Sequence, residues 1–245
     1  MTFSMEIAGH TGAVTALFDS TPVYFRQYLS RNPAEFSICV HPQDLVFEQA
    51  ELDREAREDG FRRRQFTDPF LERAAVQRAF AEYLFDRNVL MLHGSAVALD
   101  GRGYLFTAPS GTGKSTHTRL WRESFPGRCQ MINDDKPFLA IREDGATVYG
   151  SPWSGKHGLD SNIAVPLMGI CFLERGSENT IHPLAPEAAL PLLLKYGYCP
   201  MEPDKAQAYR HLVEALSRSV PLWHMTCTKD PQAATIAYEA MSCPI

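Results

Sequence analysis

The chain has 245 residues, 44 % of them hydrophobic, and a formal net charge of −5. That length and apolar content suit one large domain, or a core with a smaller subdomain, around a real hydrophobic interior. The acidic balance argues against a nucleic-acid protein, and the lack of any run of about 18 apolar residues argues against a membrane span.

The first residues, Met-Thr-Phe-Ser-Met-Glu, lack a charged n-region and an apolar h-region, so no secretion signal is expected and a cytoplasmic placement is. Residues 3–8 read as a first strand. Thr21-Pro22 opens a short helix over 23–29, with proline tolerated in the first turn. Residues 35–41 read as a second strand, and 42–58 as a helix or a long polar connection. Arg62-Arg63-Arg64 is either a solvated surface or a contact for an anionic substrate or subunit. A helix follows, with Asp68 as N-cap, Pro69 at its first position, and Leu71, Ala75, Ala79, Tyr83 and Leu84 on one face. It ends at Arg87-Asn88, which places a boundary near residue 86. The expected division is a small N-terminal α+β region, 1–86, and a core, 87–245.

Residues 89–99 and 104–107 are apolar, strand-like runs on either side of Asp100-Gly101, a pair suited to a tight hairpin because both positions tolerate positive φ. The second run leads directly into Ala-Pro-Ser-Gly-Thr-Gly-Lys-Ser, residues 108–115. This is the phosphate-cradling loop pattern, with alanine in place of the usual first glycine. Pro109, Ser110, Gly111, Thr112, Gly113, Lys114, Ser115 and Thr116 are the expected nucleotide contacts. The glycines let backbone N–H groups turn onto a polyphosphate, Lys114 sets a charge against its β- and γ-phosphates, and the Ser115 hydroxyl can ligate Mg²⁺. A helix over 116–121 would point its positive end at the phosphates.

Met131-Ile132 precedes Asn133, Asp134 and Asp135, which puts two acids at a strand end. Residues 138–142 and 147–149 flank Glu143-Asp144-Gly145 as a second hairpin, followed by a glycine-rich loop, 150–157, that holds Trp153, Lys156 and His157. Trp153 is expected to pack that loop, and Lys156 to stabilise transferred charge if the loop closes. Residues 168–173 form a buried strand, after which Arg175 either serves the site or pairs on the surface. Residues 185–196 and 206–217 read as helices, 221–227 as a strand, and Asp230-Pro231 caps a last helix running through Met241. Cys39, Cys129, Cys171, Cys199, Cys227 and Cys243 form no C-x-x-C pair and read as buried thiols.

An antiparallel partner immediately before the strand that feeds a phosphate loop is unusual. With His93-Gly94 on that partner strand, the loop 110–116 and the pair Asp134-Asp135, the chain resembles the catalytic domain of bacterial HPr kinase/phosphorylase and, more distantly, the nucleotide site of phosphoenolpyruvate carboxykinase. Residues 88–157 carry the likeness, and Gly150-Ser-Pro-Trp adds to it less specifically. The resemblance implies an α/β fold with a mixed, hairpin-rich sheet and flanking helices. It implies a short HPr-kinase-related enzyme that uses ATP and Mg²⁺ to phosphorylate a hydroxyl, of a serine in a protein or peptide or of a small molecule. By the same resemblance Asp134 is the base, Asp135 lies on the metal side with Ser115, and His93 contacts the γ-phosphate or orients a carboxylate. The expected partners are a nucleotide and a phosphoacceptor, with a homo-oligomer admissible. The alternatives are a non-catalytic ATP-binding regulator and, less favoured at this length, a carboxykinase.

Overall fold

The computed structural model describes residues 1–58 and 60–242, so Cys243 lies outside the described residues. The chain divides into two compact units, Met1–Leu84 and Phe85–Ile245. Among the described residues no helix is long and apolar enough to cross a membrane.

In the first unit, β1 (Thr2–Ile7) pairs antiparallel with β2 (His10–Thr15), and β2 runs parallel to β3 (Phe36–Cys39). The β1–β2 turn is Ala8-Gly9, both at positive φ (52° and 81°), a hairpin missing from the sequence reading. The short helix comes earlier than expected, as α1 (Ser20–Tyr24) followed by a 3₁₀ turn over Arg26–Tyr28. The ambiguous polar stretch is helical, α2 (Pro42–Glu58), and Arg63 of the basic triplet is paired with the Asp53 carboxylate. In α3 (Asp68–Phe85), Leu71, Ala75 and Leu84 of the expected face are buried. On the same helix Glu72 is fully buried, and its carboxylate accepts bonds from the Leu17 N–H and the Thr21 hydroxyl.

The second unit is a curled, mixed nine-stranded sheet with helices on both faces. Its strands and helices in chain order are β4 (Val89–Met91), β5 (Ser95–Leu99), β6 (Arg102–Thr107), α4 (Lys114–Ser124), β7 (Cys129–Asn133), β8 (Phe138–Arg142), β9 (Gly145–Tyr149), β10 (Ala164–Arg175), β11 (Thr180–Pro183), α5 (Pro186–Tyr196), α6 (Ala206–Ser219), β12 (Leu222–Cys227) and α7 (Gln232–Ser242). The order across the sheet is β4-β8-β9-β10-β6-β5-β7, with β12 beside β10 and β11 beyond it. Among the described residues of this unit, only the β10–β6 and β10–β12 pairs are parallel. Twelve residues long, β10 pairs with β9 through its first residues and with β12 through its last.

The centre of the sheet is covered on both sides. Ala96, Leu105, Ile170 and Phe172 face a core closed by Leu193, Val213 and Leu216 of α5 and α6. Val97, Tyr104, Phe106, Cys171 and Leu173 face another closed by Trp121 of α4 and by Ala233, Ala237 and Met241 of α7. Burial on both faces is why these strands read as continuous apolar runs rather than alternating ones.

That burial also hid a break. The run 89–99 is not one strand: β4 pairs with β8, whereas β5 pairs with β6 and β7. His93 and Gly94 form the bend between them, so His93 is not on a strand as the sequence suggested. The bend is held by the His93 N–H donating to the Tyr196 carbonyl (2.8 Å) and the Gly94 N–H to the Asp135 carbonyl (3.0 Å). A Cβ on Gly94 would sit 2.9 Å from Leu105 Cδ2 and 3.1 Å from the Phe106 carbonyl oxygen, so a larger residue must displace buried neighbours. The five described cysteines are free thiols, but only Cys171 is fully buried; Cys39 and Cys199 are exposed.

Candidate active site

The Asp100-Gly101 hairpin is formed, with φ of 51° and 76°, and it sets β5 directly beside β6. The chain leaves β6 at Thr107, runs through residues 108–113 and enters α4 at Lys114. Gly111 and Gly113 hold φ of 80° and 129°, and nothing lies within 4 Å of where their Cβ atoms would be, so the outside of the loop is open. The Thr112 N–H donates to the Pro109 carbonyl (3.2 Å), closing a turn with Gly111 at the position that requires positive φ. Lys114 is buried and donates from Nζ to the Ala108 carbonyl (2.9 Å). Pro109 and Ser110 are exposed, and Ser115 and Thr116 are half-buried in the first turn of α4.

The two acids do not continue β7. The Asn133 amide oxygen accepts from the Asp135 N–H (2.8 Å) and the Lys136 N–H (2.6 Å), and this turns the backbone at Asp134-Asp135. The Asn133 NH₂ donates to the Ser151 carbonyl (2.7 Å) and the Ser151 hydroxyl (3.0 Å), while that hydroxyl donates to the Lys136 carbonyl (2.7 Å). Asn133 and Ser151, both fully buried, therefore tie the acidic turn to the 150–157 loop. Sequence reasoning passed over both, although an asparagine directly before paired acids is a turn signal.

Asp134 is buried, and its Oδ1 accepts from the Ser95 hydroxyl (2.7 Å), which lies 2.9 Å from the Thr118 hydroxyl on α4. Ser95 follows the His93-Gly94 bend, so bend, acid and helix meet at one point. Asp135 Oδ1 is 3.3 Å from His93 Nε2. Burial pushes the Asp135 carboxyl up, but the His93 hydrogen bond and the Lys136 and Lys114 charges outweigh it and hold the group below its usual value. Burial lowers His93, helped by the Lys136 and Lys114 charges against the bond to Asp135. Burial also lowers Lys114, while both Asp135 and Asp134 favour its charged form. Lys114, Asp134, Asp135 and His93 thus share one electrostatic environment, together with Lys136, which the sequence reading did not single out.

The remaining candidates divide. Lys156 and His157 lie exposed in a 3₁₀ turn, Gly155–His157. That turn reaches the acids through Gly155, where a Cβ would sit 3.2 Å from the Asp135 Cβ. Trp153 is buried and tilts against Phe138 at 6.2 Å, as packing required. Among the described residues Arg175 makes no ion pair. Its Nε donates to the Thr112 carbonyl (2.9 Å) and its Nη2 to the Gly111 carbonyl, so it grips the loop from the β10 side.

Among solved structures, the chain is similar to the Hpr(Ser) kinase/phosphatase from Coxiella burnetii, with a TM-score of 0.38, 12 % identity, and coverage of 61 % of this chain and 95 % of that one. No curated protein matches the chain. The family model that matches is that of the SynChlorMet cassette protein ScmC, not one of HPr kinase, and it spans residues 75–228, from α3 to the residue after β12. The match takes in more than half of the chain, including the loop, the acidic turn and Arg175, and the chain belongs to the ScmC family.

Proposed function

We propose that this ScmC-family chain is an ATP- and Mg²⁺-dependent kinase that transfers the γ-phosphoryl group to a hydroxyl, of a serine in a protein or peptide or of a small molecule. The observation that carries the reading is the convergence of Lys114, Asp134, Asp135 and His93 where β6 hands over to α4. A phosphoryl-transfer site needs a phosphate cradle, positive charge, a metal side and a base. Residues 108–115 supply the cradle, open where Gly111 and Gly113 lack side chains.

Lys114 exchanges its bond to the Ala108 carbonyl for the β- and γ-phosphates. Among the described residues no three His, Cys, Asp or Glu side chains form a metal cage. Mg²⁺ needs none, because it takes one or two protein oxygens and completes its shell with phosphate and water. Ser115 and Asp135 are the residues that would hold it, with His93 orienting the Asp135 carboxylate. When bound, the ion neutralises charge on the β- and γ-oxygens.

Asp134 takes the proton of the acceptor hydroxyl, whose oxygen bonds to the γ-phosphorus as the bond to the β–γ bridging oxygen breaks and ADP leaves. The Ser95 hydroxyl fixes the carboxylate for this step. Lys156 enters only if the 150–157 loop moves over the site. The test is transfer of label from [γ-³²P]ATP to serine-containing peptides and hydroxylated metabolites. Transfer or ATP hydrolysis that needs Mg²⁺ and is lost in Asp134→Ala supports the proposal. Tight ATP binding without turnover would favour a non-catalytic regulator instead, and turnover unchanged in Asp134→Ala would remove the proposed chemistry.

A further inference from the structure

The phosphate loop has two flanks. Asp134, Asp135 and His93 lie on the β5–β7 flank, whereas the other flank faces the C-terminal end of β10, the parallel neighbour of β6. On that second flank an open groove of about 430 Å³ runs between residues 109–112 and Leu173, Glu174 and Arg175. This volume lies within the range of small-molecule sites. A nucleoside triphosphate is a linear molecule. If its γ-phosphate meets the acids, its nucleoside end emerges on the side away from them, which is the side of this groove.

The chemistry of the groove suits a base. The Arg175 guanidinium is fixed in its plane by the bonds from Nε and Nη2 to the Thr112 and Gly111 carbonyls. Those in-plane bonds leave the flat faces of the group for stacking, which a guanidinium does well and an ammonium does not. The Pro109 ring and buried Leu173 give the groove apolar wall. Glu174, approached by His224 Nε2 at 3.4 Å, brings an acceptor for a ribose hydroxyl or an exocyclic amine.

We propose that the groove between the phosphate loop and the end of β10 is the nucleoside subsite, with the Arg175 guanidinium as the platform on which the base stacks. The proposal rests on the phosphotransfer reading above. It makes Arg175 a ligand contact as well as a support for the loop.

The test compares ATP with inorganic tripolyphosphate, both with Mg²⁺, by calorimetric titration of the full chain and of its Arg175→Ala and Arg175→Lys variants. The wild type should prefer ATP by about tenfold or more, the stacking contribution of one base. In both variants that ratio should fall towards unity, whatever the loss of the two bonds to the loop does to tripolyphosphate affinity itself. Two results would overturn the subsite while leaving the phosphate loop standing. One is equal affinity for the two ligands in the wild type. The other is a ratio kept in the variants, whether both affinities fall together or neither changes. Binding of neither ligand by the wild type would overturn the phosphotransfer reading, and the subsite with it. Arg175→Lys, which keeps the charge and nearly the length, decides the question if Arg175→Ala fails to fold.

Discussion

Replacing Asn133 with alanine removes one side chain that satisfies both ends of the acidic turn. Its oxygen accepts the Asp135 and Lys136 N–H groups, and its NH₂ donates to the Ser151 carbonyl and hydroxyl. The side chain is fully buried, so alanine leaves a cavity as well as unpaired backbone groups. Each buried donor left without a partner costs about 1–3 kcal/mol, and the half-buried position of the two N–H groups admits some water, so the total should be about 2–4 kcal/mol. For a chain of this size that is a fall in Tm of about 5–15 °C, read by circular dichroism or scanning calorimetry. Asn133→Asp keeps the acceptor but loses both donor bonds and sets an anion against the Ser151 carbonyl, so it should be no more stable than the alanine variant. Nucleotide turnover should fall further than stability does, because Asp135 loses the turn that aims it at His93. If Asn133→Ala unfolds within about 2 °C of the wild type, the amide is not what holds the acids, and the account of the turn is wrong.

Other expectations follow from single positions. A Cβ on Gly150 would sit 1.9 Å from the Ser161 carbonyl oxygen and 2.9 Å from that of Ile132, so Gly150→Ala must push backbone aside and should cost about 3 kcal/mol or more in urea titration. Gly158→Ala, where φ is +58° but nothing lies within 4 Å, should cost only about 1 kcal/mol; equal costs would contradict the close approach of the Ser161 and Ile132 backbone to Gly150. His117 is buried against Phe106 and accepts from Trp121 Nε1, and burial lowers it from 6.5 to about 4. A histidine with a lowered folded value binds its proton more readily unfolded, so stability is intact above the ordinary histidine range and is lost as pH falls towards 4. The loss should reach about 2 kcal/mol near pH 5. His117→Gln should remove that part of the slope between about pH 7 and pH 5, and an unchanged slope would refute the assignment.

Turn chemistry was the most legible part of the sequence, because it is local. Asp100-Gly101 and the glycines of the 108–115 loop need only their own backbone angles, and the structure shows positive φ at Asp100, Gly101, Gly111 and Gly113. What depends on distant partners was not legible. The split of residues 89–99 into β4 and β5 is set by pairing with β8 on one side and β6 and β7 on the other, and burial on both faces erased the alternation that would have marked it. Asn133 gains its meaning from Ser151, 18 residues away, and Arg175 from a loop 63 residues before it. The role of Ser95 emerges only once Asp134 and Thr118 are beside it. The order of residues in the chain nominated Lys114, Asp134, Asp135 and His93, which the structure places near one another; the residues that orient them required the fold.

The most direct measurement is an experimental structure of the protein with Mg²⁺ and a non-hydrolysable ATP analogue. The account predicts the phosphates along residues 108–115, Lys114 Nζ moved from the Ala108 carbonyl onto the β- and γ-oxygens, and the γ-phosphorus facing Asp134 and Asp135. A nucleotide bound elsewhere, or phosphates on the loop with both carboxylates turned away from the γ-group, would contradict it.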